Sequence, residues 1–404
     1  MSLSELIIRV NISREMGWLE DIEVKDYSIV ISSHILEGLK KRFTSMLLKT
    51  KLPYIIDPYT YIFTSDLQEV KDKRWYPNLV ALYGLDLIMD PDAGALSSDL
   101  LIDRNNQPTE NLNELVENVI NYQRTRIQDV YDEIFEFEEF EGKQDSISTI
   151  SPKCIIPPYF FLGAGSVDWL TVNIRCIQYA LQNRQENEKI FAVIMLDKDL
   201  LSFKDDVKQI IQEYSLAGID GYFVWPAYFD ENSPKRTEIR LFSEFIDELS
   251  KFQKPIYNMY GGLFSLLLHD RGITGISHAI CYGEHKAPFA SSGMAATIRY
   301  YEPSIHSKIP FGRMDEIQDA LKLEKCNCKY CSEIYNTNDK GKQLELSGKH
   351  FIFKRIQELN NLRNNGASAF LAEIIQDAKR AEENDQVGAY SNFYEKFAIW
   401  KEAL

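Results

Sequence analysis

The chain has 404 residues, enough for one large domain with an appendage or for two ordinary domains. Hydrophobic residues at 45% and aromatic residues at 12% supply a buried core and exclude a generally disordered chain. A net charge of −15 repels a phosphate backbone on average, so any nucleic-acid binding has to rest on a local basic patch.

The first stretch, 4–12, is interrupted by Glu5 and Arg9 too early for the apolar run of a secretion signal. No uncharged apolar run of about 18 residues follows it. Six cysteines are too sparse for a disulfide scaffold. Together these features predict a soluble, cytoplasmic protein that does not engage a membrane. Residues 1–45 read as an N-terminal extension, with 6–12 and 27–31 as strands ahead of the main domain. From 46 to 315 short apolar runs alternate with amphipathic helical stretches, the rhythm of a parallel sheet or barrel. The predicted strands are 52–56, 85–89, 154–162, 190–196, 221–225, 256–260, 275–281 and 296–300. Several are continuous apolar runs, as expected for strands covered on both faces. Predicted helices are 111–137, 167–182, 205–214 and 240–251, with 136–151 as a charged, Ser/Thr-rich linker. Eight strands with intervening helices predict a TIM-like (β/α)8 barrel with its chemistry just after the strand ends. Residues 316–404 read as a helical subdomain, whose stretches 367–383 and 390–404 pack back on the barrel.

The strongest chemical signal lies in that subdomain. Cys326, Cys328 and Cys331 form a C-x-C-x-x-C run, and His350 follows after 18 intervening residues. Three soft thiolates and one imidazole suit a tetrahedral Zn²⁺, and a fully protein-ligated ion leaves no position for water, so the site is structural. Lys322, Lys325 and Lys329 favour the thiolate forms.

Asp57 and Asp90 each follow an apolar run and are the candidate catalytic carboxylates, with Tyr59, Tyr61, Trp225 and Tyr260 as walls for a bound ring. The plainer alternative is that both aspartates cap turns. His278, with Glu284, His285 and His306 beyond it, forms a further cluster able to line a site, whose spacing matches no helical metal motif. Asp197 and Asp199 flank Lys198 in what reads as a surface turn. Gly261 and Gly262, after Tyr260, allow close approach of a ligand or phosphate to the backbone. Arg299, Tyr300, Tyr301, His306, Lys308, Arg313 and the three lysines above make a candidate basic and aromatic face for a nucleic-acid strand.

The cysteine–histidine cluster, the segment FAVIMLDKDLLSFKDDVKQIIQEYSLAGIDGYFVWPAYFD at 191–230, Pro53-Tyr54-Ile55-Ile56-Asp57 and Leu87-Ile88-Met89-Asp90 together resemble the tRNA-guanine transglycosylase superfamily, over roughly residues 50–360. That resemblance implies a TIM barrel with one zinc ion per chain, exchange of a guanine for a 7-deazaguanine, and tRNA or DNA as the polymer. It implies Asp57 as acid/base and Asp90 as the reader of the guanine edge, with a homo- or hetero-dimer as the assembly. The departures are specific. Pro58-Tyr59-Thr60 stands where the family has glycines, and Trp225-Pro226 replaces its Gly-Gly pair. The segment 272–281, GITGISHAIC, holds Ser277 and His278 where the nucleophilic aspartate belongs. Two alternatives therefore stand beside base exchange: a non-catalytic zinc-containing barrel subunit that binds nucleic acid or a partner, and a nucleoside or glycoside hydrolase on the same barrel.

Overall fold

The structure, a computed structural model, describes residues 4–65, 70–89, 95–135, 151–216, 218–281, 286–289 and 298–404. Seven strands form one all-parallel sheet: β1 (Glu5–Val10), β2 (Ser28–Ser32), β3 (Tyr54–Asp57), β4 (Phe191–Asp197), β5 (Gly221–Ala227), β6 (Ile256–Asn258) and β7 (Ile273–Ala279). Their order is β3-β2-β1-β7-β6-β5-β4, so β1 sits in the middle. Nearly every strand residue is buried, which is why the strands read as continuous apolar runs rather than as alternating ones.

The sheet is curled and the fold is TIM-like. Both of its edges meet residues 153–162. Ile155 and Leu162 bridge in parallel to Ile190 and Leu196 beside β4. On the other side the Lys153 N–H donates to the Tyr54 carbonyl of β3 at 2.7 Å. Tyr159 and Thr60 exchange two further hydrogen bonds of 2.8 and 2.9 Å. In the helix Glu110–Phe135, the Gln123 amide satisfies both the N–H and the carbonyl of Ile156.

Three expectations need correction. The segments read as an N-terminal extension are β1 and β2, registered inside the sheet between β3 and β7. Glu5 and Arg9 interrupt the apolar run of β1 and hide a central strand. The stretch 85–89 is not a strand but a helical turn, Leu85–Ile88. Gly84 at φ 68° reverses the chain, after which Leu85 and Ile88, three apart, are buried and Leu87 is exposed. The last predicted strand contributes β8 (Arg299–Glu302), which pairs antiparallel with β9 (Ser307–Pro310) outside the main sheet; residues 296 and 297 lie outside the described set.

Beyond β9 the chain is helical. The helix Lys340–Asn365 lies against the barrel, with Gly348 so close that a Cβ there would meet the Trp18 ring at 2.8 Å and Ile280 at 3.1 Å. Lys349 pairs with Asp21 at 2.9 Å across the same contact. The last helix, Lys396–Ala403, returns to the barrel: Trp400 Nε1 donates to the Glu231 carbonyl at 3.1 Å. Among the described residues no helix is long and apolar enough to cross a membrane. A Gly348→Val substitution forces branched carbons into Trp18 and Ile280. It is expected to cost about 1–3 kcal/mol, read as a lowered urea midpoint in equilibrium unfolding.

Candidate active site and metal centre

The ends of β1, β2 and β3 converge on one buried ion pair. Arg9 Nη1 donates to Asp57 Oδ2 and to Ser32 Oγ, both at 2.9 Å. The register brings them together, because Ser32 pairs with Asp57 and Arg9 lies one strand over, opposite Val30. Asp57 also accepts from the Tyr159 hydroxyl at 2.8 Å and from the Tyr59 N–H at 3.1 Å. Arg9 is 2% exposed and Asp57 fully buried. A buried charge pair of this kind is tolerable only with its hydrogen bonds made. Asp57 meets that condition; Arg9 does not, since Nε and Nη2 have no partner among the described residues. Burial opposes the guanidinium charge, but Tyr260, whose ring centroid lies 4.5 Å from Cζ, and Asp57 outweigh it and hold Arg9 protonated.

Aromatic rings close over this pair. Tyr59 adopts a left-handed backbone at φ 59° and stacks on His34, ring centroids 3.9 Å apart. Tyr61 meets Trp225 edge-on at 5.1 Å, and Trp225 meets Tyr260 at 4.6 Å. Into this cage runs Lys286, from the segment after β7. Its Nζ contacts the hydroxyls of Tyr61 at 3.0 Å and Tyr260 at 3.3 Å and lies 4.6 Å from the Tyr59 ring centroid. Its own carbonyl is held by Trp225 Nε1 at 3.2 Å. Among the described residues no carboxylate forms an ion pair with it. Burial, then the Arg9 charge, lower the Lys286 pKa to about 7, against a smaller opposing pull from Asp57. Burial first, then the neighbouring Lys286 and Arg9, hold the His34 pKa well below its usual range.

The structure therefore brings together Asp57, Tyr59, Tyr61, Trp225 and Tyr260 from the sequence-derived set. Asp90, Glu284 and His285 lie outside the described residues. His278 is not part of the cluster. Successive residues of a strand face opposite ways, and on β7 it is Ser277 that shares Arg9's side, its Oγ buried without a partner among the described residues. His278 faces the Lys340–Asn365 helix and packs on Phe351 with ring centroids 4.9 Å apart. The backbones of Gly261 and Gly262 are engaged as well: their N–H groups donate to the Ser277 carbonyl at 3.1 Å and to Glu231 at 2.9 Å. Gly261 is required instead by close packing, since a Cβ there would stand 2.9 Å from Asn258. Asp197 accepts from the Asp199 N–H at 2.9 Å, a turn cap.

Sequence reasoning missed Arg9, Ser32, Tyr159 and Lys286. A charged residue inside an otherwise buried apolar strand was the available signal for Arg9. Lys286 follows Glu284 and His285 directly in the sequence and carries no local signature.

The cysteine–histidine set does assemble. The donor atoms of Cys326, Cys328, Cys331 and His350 all lie within 4.8 Å of one another. His350 Nδ1 stands 3.3 Å from the sulfurs of both Cys328 and Cys331, which are 3.5 Å apart. Ligands of a tetrahedral ion with bonds of about 2.0–2.3 Å stand roughly 3.3–3.8 Å apart, so the group can hold a metal ion and is compatible with zinc. Its support is built in. His350 Nε2 bonds the Tyr301 carbonyl at 2.7 Å, which fixes Nδ1 as the free donor. The Tyr300 ring stacks on His350 at 4.7 Å, and its hydroxyl reaches Cys331 Sγ at 3.3 Å. In the basic and aromatic face beside this cluster, Tyr300 and Tyr301 are buried and His306 contacts Glu358, while Lys325, Lys329 and Arg313 form exposed ion pairs with Asp315, Glu23 and Glu316.

Two outcomes follow from these geometries. Cys328→Ser is expected to drop bound metal below one per chain by atomic absorption, with early melting of the C-terminal helices by circular dichroism. Arg9→Met strands a buried carboxylate and is expected to cost about 3–5 kcal/mol. The double variant Arg9→Met/Asp57→Asn should lose less than the sum of its parts in denaturant titrations.

No protein-family model matches the chain, and no curated protein matches it. Among solved structures the chain is similar to one from Coccidioides immitis, provisionally assigned as a fructose-1,6-biphosphate aldolase, at 7% identity and a TM-score of 0.34 over 88% of this chain and 90% of that one. A likeness at that level carries no argument about function.

Proposed function

We propose that this chain is a transglycosylase-like protein that binds and exchanges a guanine or 7-deazaguanine base in tRNA or DNA, on a (β/α)8 barrel whose eighth stave is 153–162. The observation that carries the reading is the buried Arg9–Asp57 pair under an aromatic cage at the strand ends. A purine presents both donors and acceptors on its edge and two faces for stacking. Asp57 holds the guanidinium in place, Nε and Nη2 of Arg9, which have no partner among the described residues, offer donors, and Tyr59, Trp225 and Tyr260 offer rings. This arrangement lies at the end of the barrel where such enzymes keep their chemistry. Cys326, Cys328, Cys331 and His350 would hold zinc with no open position, so the ion would brace the C-terminal helices and take no part in the reaction.

One observation favours the second reading, a non-catalytic binding subunit. β7 brings Ser277 rather than a carboxylate to the side shared with Arg9. Hydrolysis of a glycoside would need a second carboxylate facing Asp57, and the described cluster supplies none.

The test is incubation of the purified, zinc-loaded chain with radiolabelled guanine and, separately, bulk tRNA or duplex DNA. Incorporation into one polymer, lowered at least tenfold in Asp57→Asn at a temperature where that variant remains folded, is the expected result. Tight binding of either polymer without incorporation would move the assignment to the binding subunit.

A further inference from the structure

Lys286 is a buried amine with no carboxylate partner among the described residues, held by two phenol hydroxyls and ringed by Tyr59, Tyr61, Trp225 and Tyr260. A lysine is seldom buried without a counter-ion, because an ammonium loses its hydration there. The same surroundings suit a neutral amine with an available lone pair, since a desolvated lysine beside a second cation is the usual form of an activated amine nucleophile. Arg9 is that second cation, and Asp57, already bound by Arg9, Ser32 and Tyr159, has no oxygen engaged with the amine. Lys286 also follows β7, the strand whose expected carboxylate is missing.

We propose that Lys286 Nζ is the nucleophile that displaces the base from C1′ of the nucleotide. The inference rests on the base-exchange reading and supplies the group which that reading lacks. In the first step Nζ forms a bond to C1′ and the C1′–N9 bond breaks, its electron pair leaving on N9. The proton lost from Nζ passes to N9, with the Tyr61 hydroxyl at 3.0 Å placed to relay it. The polymer is then joined to the protein through an N-glycosyl bond. In the second step N9 of the incoming base attacks C1′, the Nζ–C1′ bond breaks, and Nζ recovers a proton from that base. Nothing beyond the two bases and the polymer is consumed.

A pKa near 7 leaves about half of Lys286 neutral at pH 7. Exchange is therefore expected to rise with pH through that point and level off above it. The linkage to stability runs the same way. The folded-state pKa lies below that of the unfolded chain, so the unfolded state binds more protons between about 7 and 10.5 and stability rises with pH across that window. Lys286→Met is thus expected to melt above the native chain at pH 7, with the gap closing towards pH 10, which also makes it a folded variant for the assay.

The experiment treats the zinc-loaded chain with tRNA or duplex DNA, in the presence and absence of labelled guanine, and adds sodium borohydride. Opening of the sugar ring turns the N-glycosyl bond into an imine, which hydride reduces to a stable secondary amine. The expected result is a polymer–protein adduct mapped to Lys286 by mass spectrometry, with adduct and guanine incorporation both lost in Lys286→Met and Lys286→Arg. Incorporation that persists in those variants, or that proceeds without an adduct at Lys286, would overturn the nucleophile and leave base exchange standing. An adduct at Lys286 without incorporation would keep the nucleophile and replace exchange by base removal. Neither adduct nor incorporation with either polymer would overturn both.

Discussion

The cluster at the mouth of the barrel depends on the buried pairing of Arg9 with Asp57. Two opposite charges sit where water does not reach, and the cost of removing them from solvent is offset only because Ser32, Tyr159 and the Tyr59 amide take up the remaining lone pairs of the carboxylate. That requirement fixes the relative heights of β1, β2 and β3, since a slip of one residue would turn Arg9 or Asp57 to the opposite face. It also bears on the state of its neighbours. Burial first, and the nearby guanidinium of Arg9 second, drive Lys286 towards its uncharged form, and burial with the neighbouring Lys286 and Arg9 does the same to His34. Beside burial, the guanidinium of this pair thus weighs on the protonation of the groups around it.

The cysteine–histidine cluster and the barrel are joined through shared elements rather than through a linker. β8 contributes Tyr300 and Tyr301, which stack on and hydrogen-bond His350, and the helix that carries His350 also places Gly348 against Trp18 and Phe351 against His278. The histidine that looked catalytic is therefore part of the seam between the two halves of the molecule. Its burial on the outer face of β7 gives the Lys340–Asn365 helix a flat ring to pack on.

How much of this was legible beforehand differed by the kind of signal. The parallel α/β rhythm and the C-x-C-x-x-C…His set were readable because each is a local pattern with one dominant physical meaning: continuous apolar runs for doubly covered strands, clustered thiols for a metal. Asp57 and its aromatic walls were readable because they follow such runs. The direction of a side chain was not. Ser277 and His278 are adjacent, and which one faces Arg9 depends on pairing with β1, a strand more than two hundred residues away in sequence. The short helix at Leu85–Ile88 resembles a strand in sequence because a segment with Leu85, Leu87, Ile88 and Met89 around a single Asp86 fits either period. Arg9 was passed over for a related reason, as a charge in a strand is normally evidence against burial and becomes evidence for a site once its partner is known.

The place of β1 has a consequence for how the molecule comes to be made. This strand precedes the other six strands of the sheet in the chain, yet it forms the middle of that sheet, and one of its two neighbours, β7, is the last of the seven to be made. Such long-range closure is slow and leaves apolar strand edges open meanwhile. A nascent chain of this protein is thus a natural client for chaperones until β7 has emerged, and a ribosome that stalls before that point releases a product with an unfinished sheet.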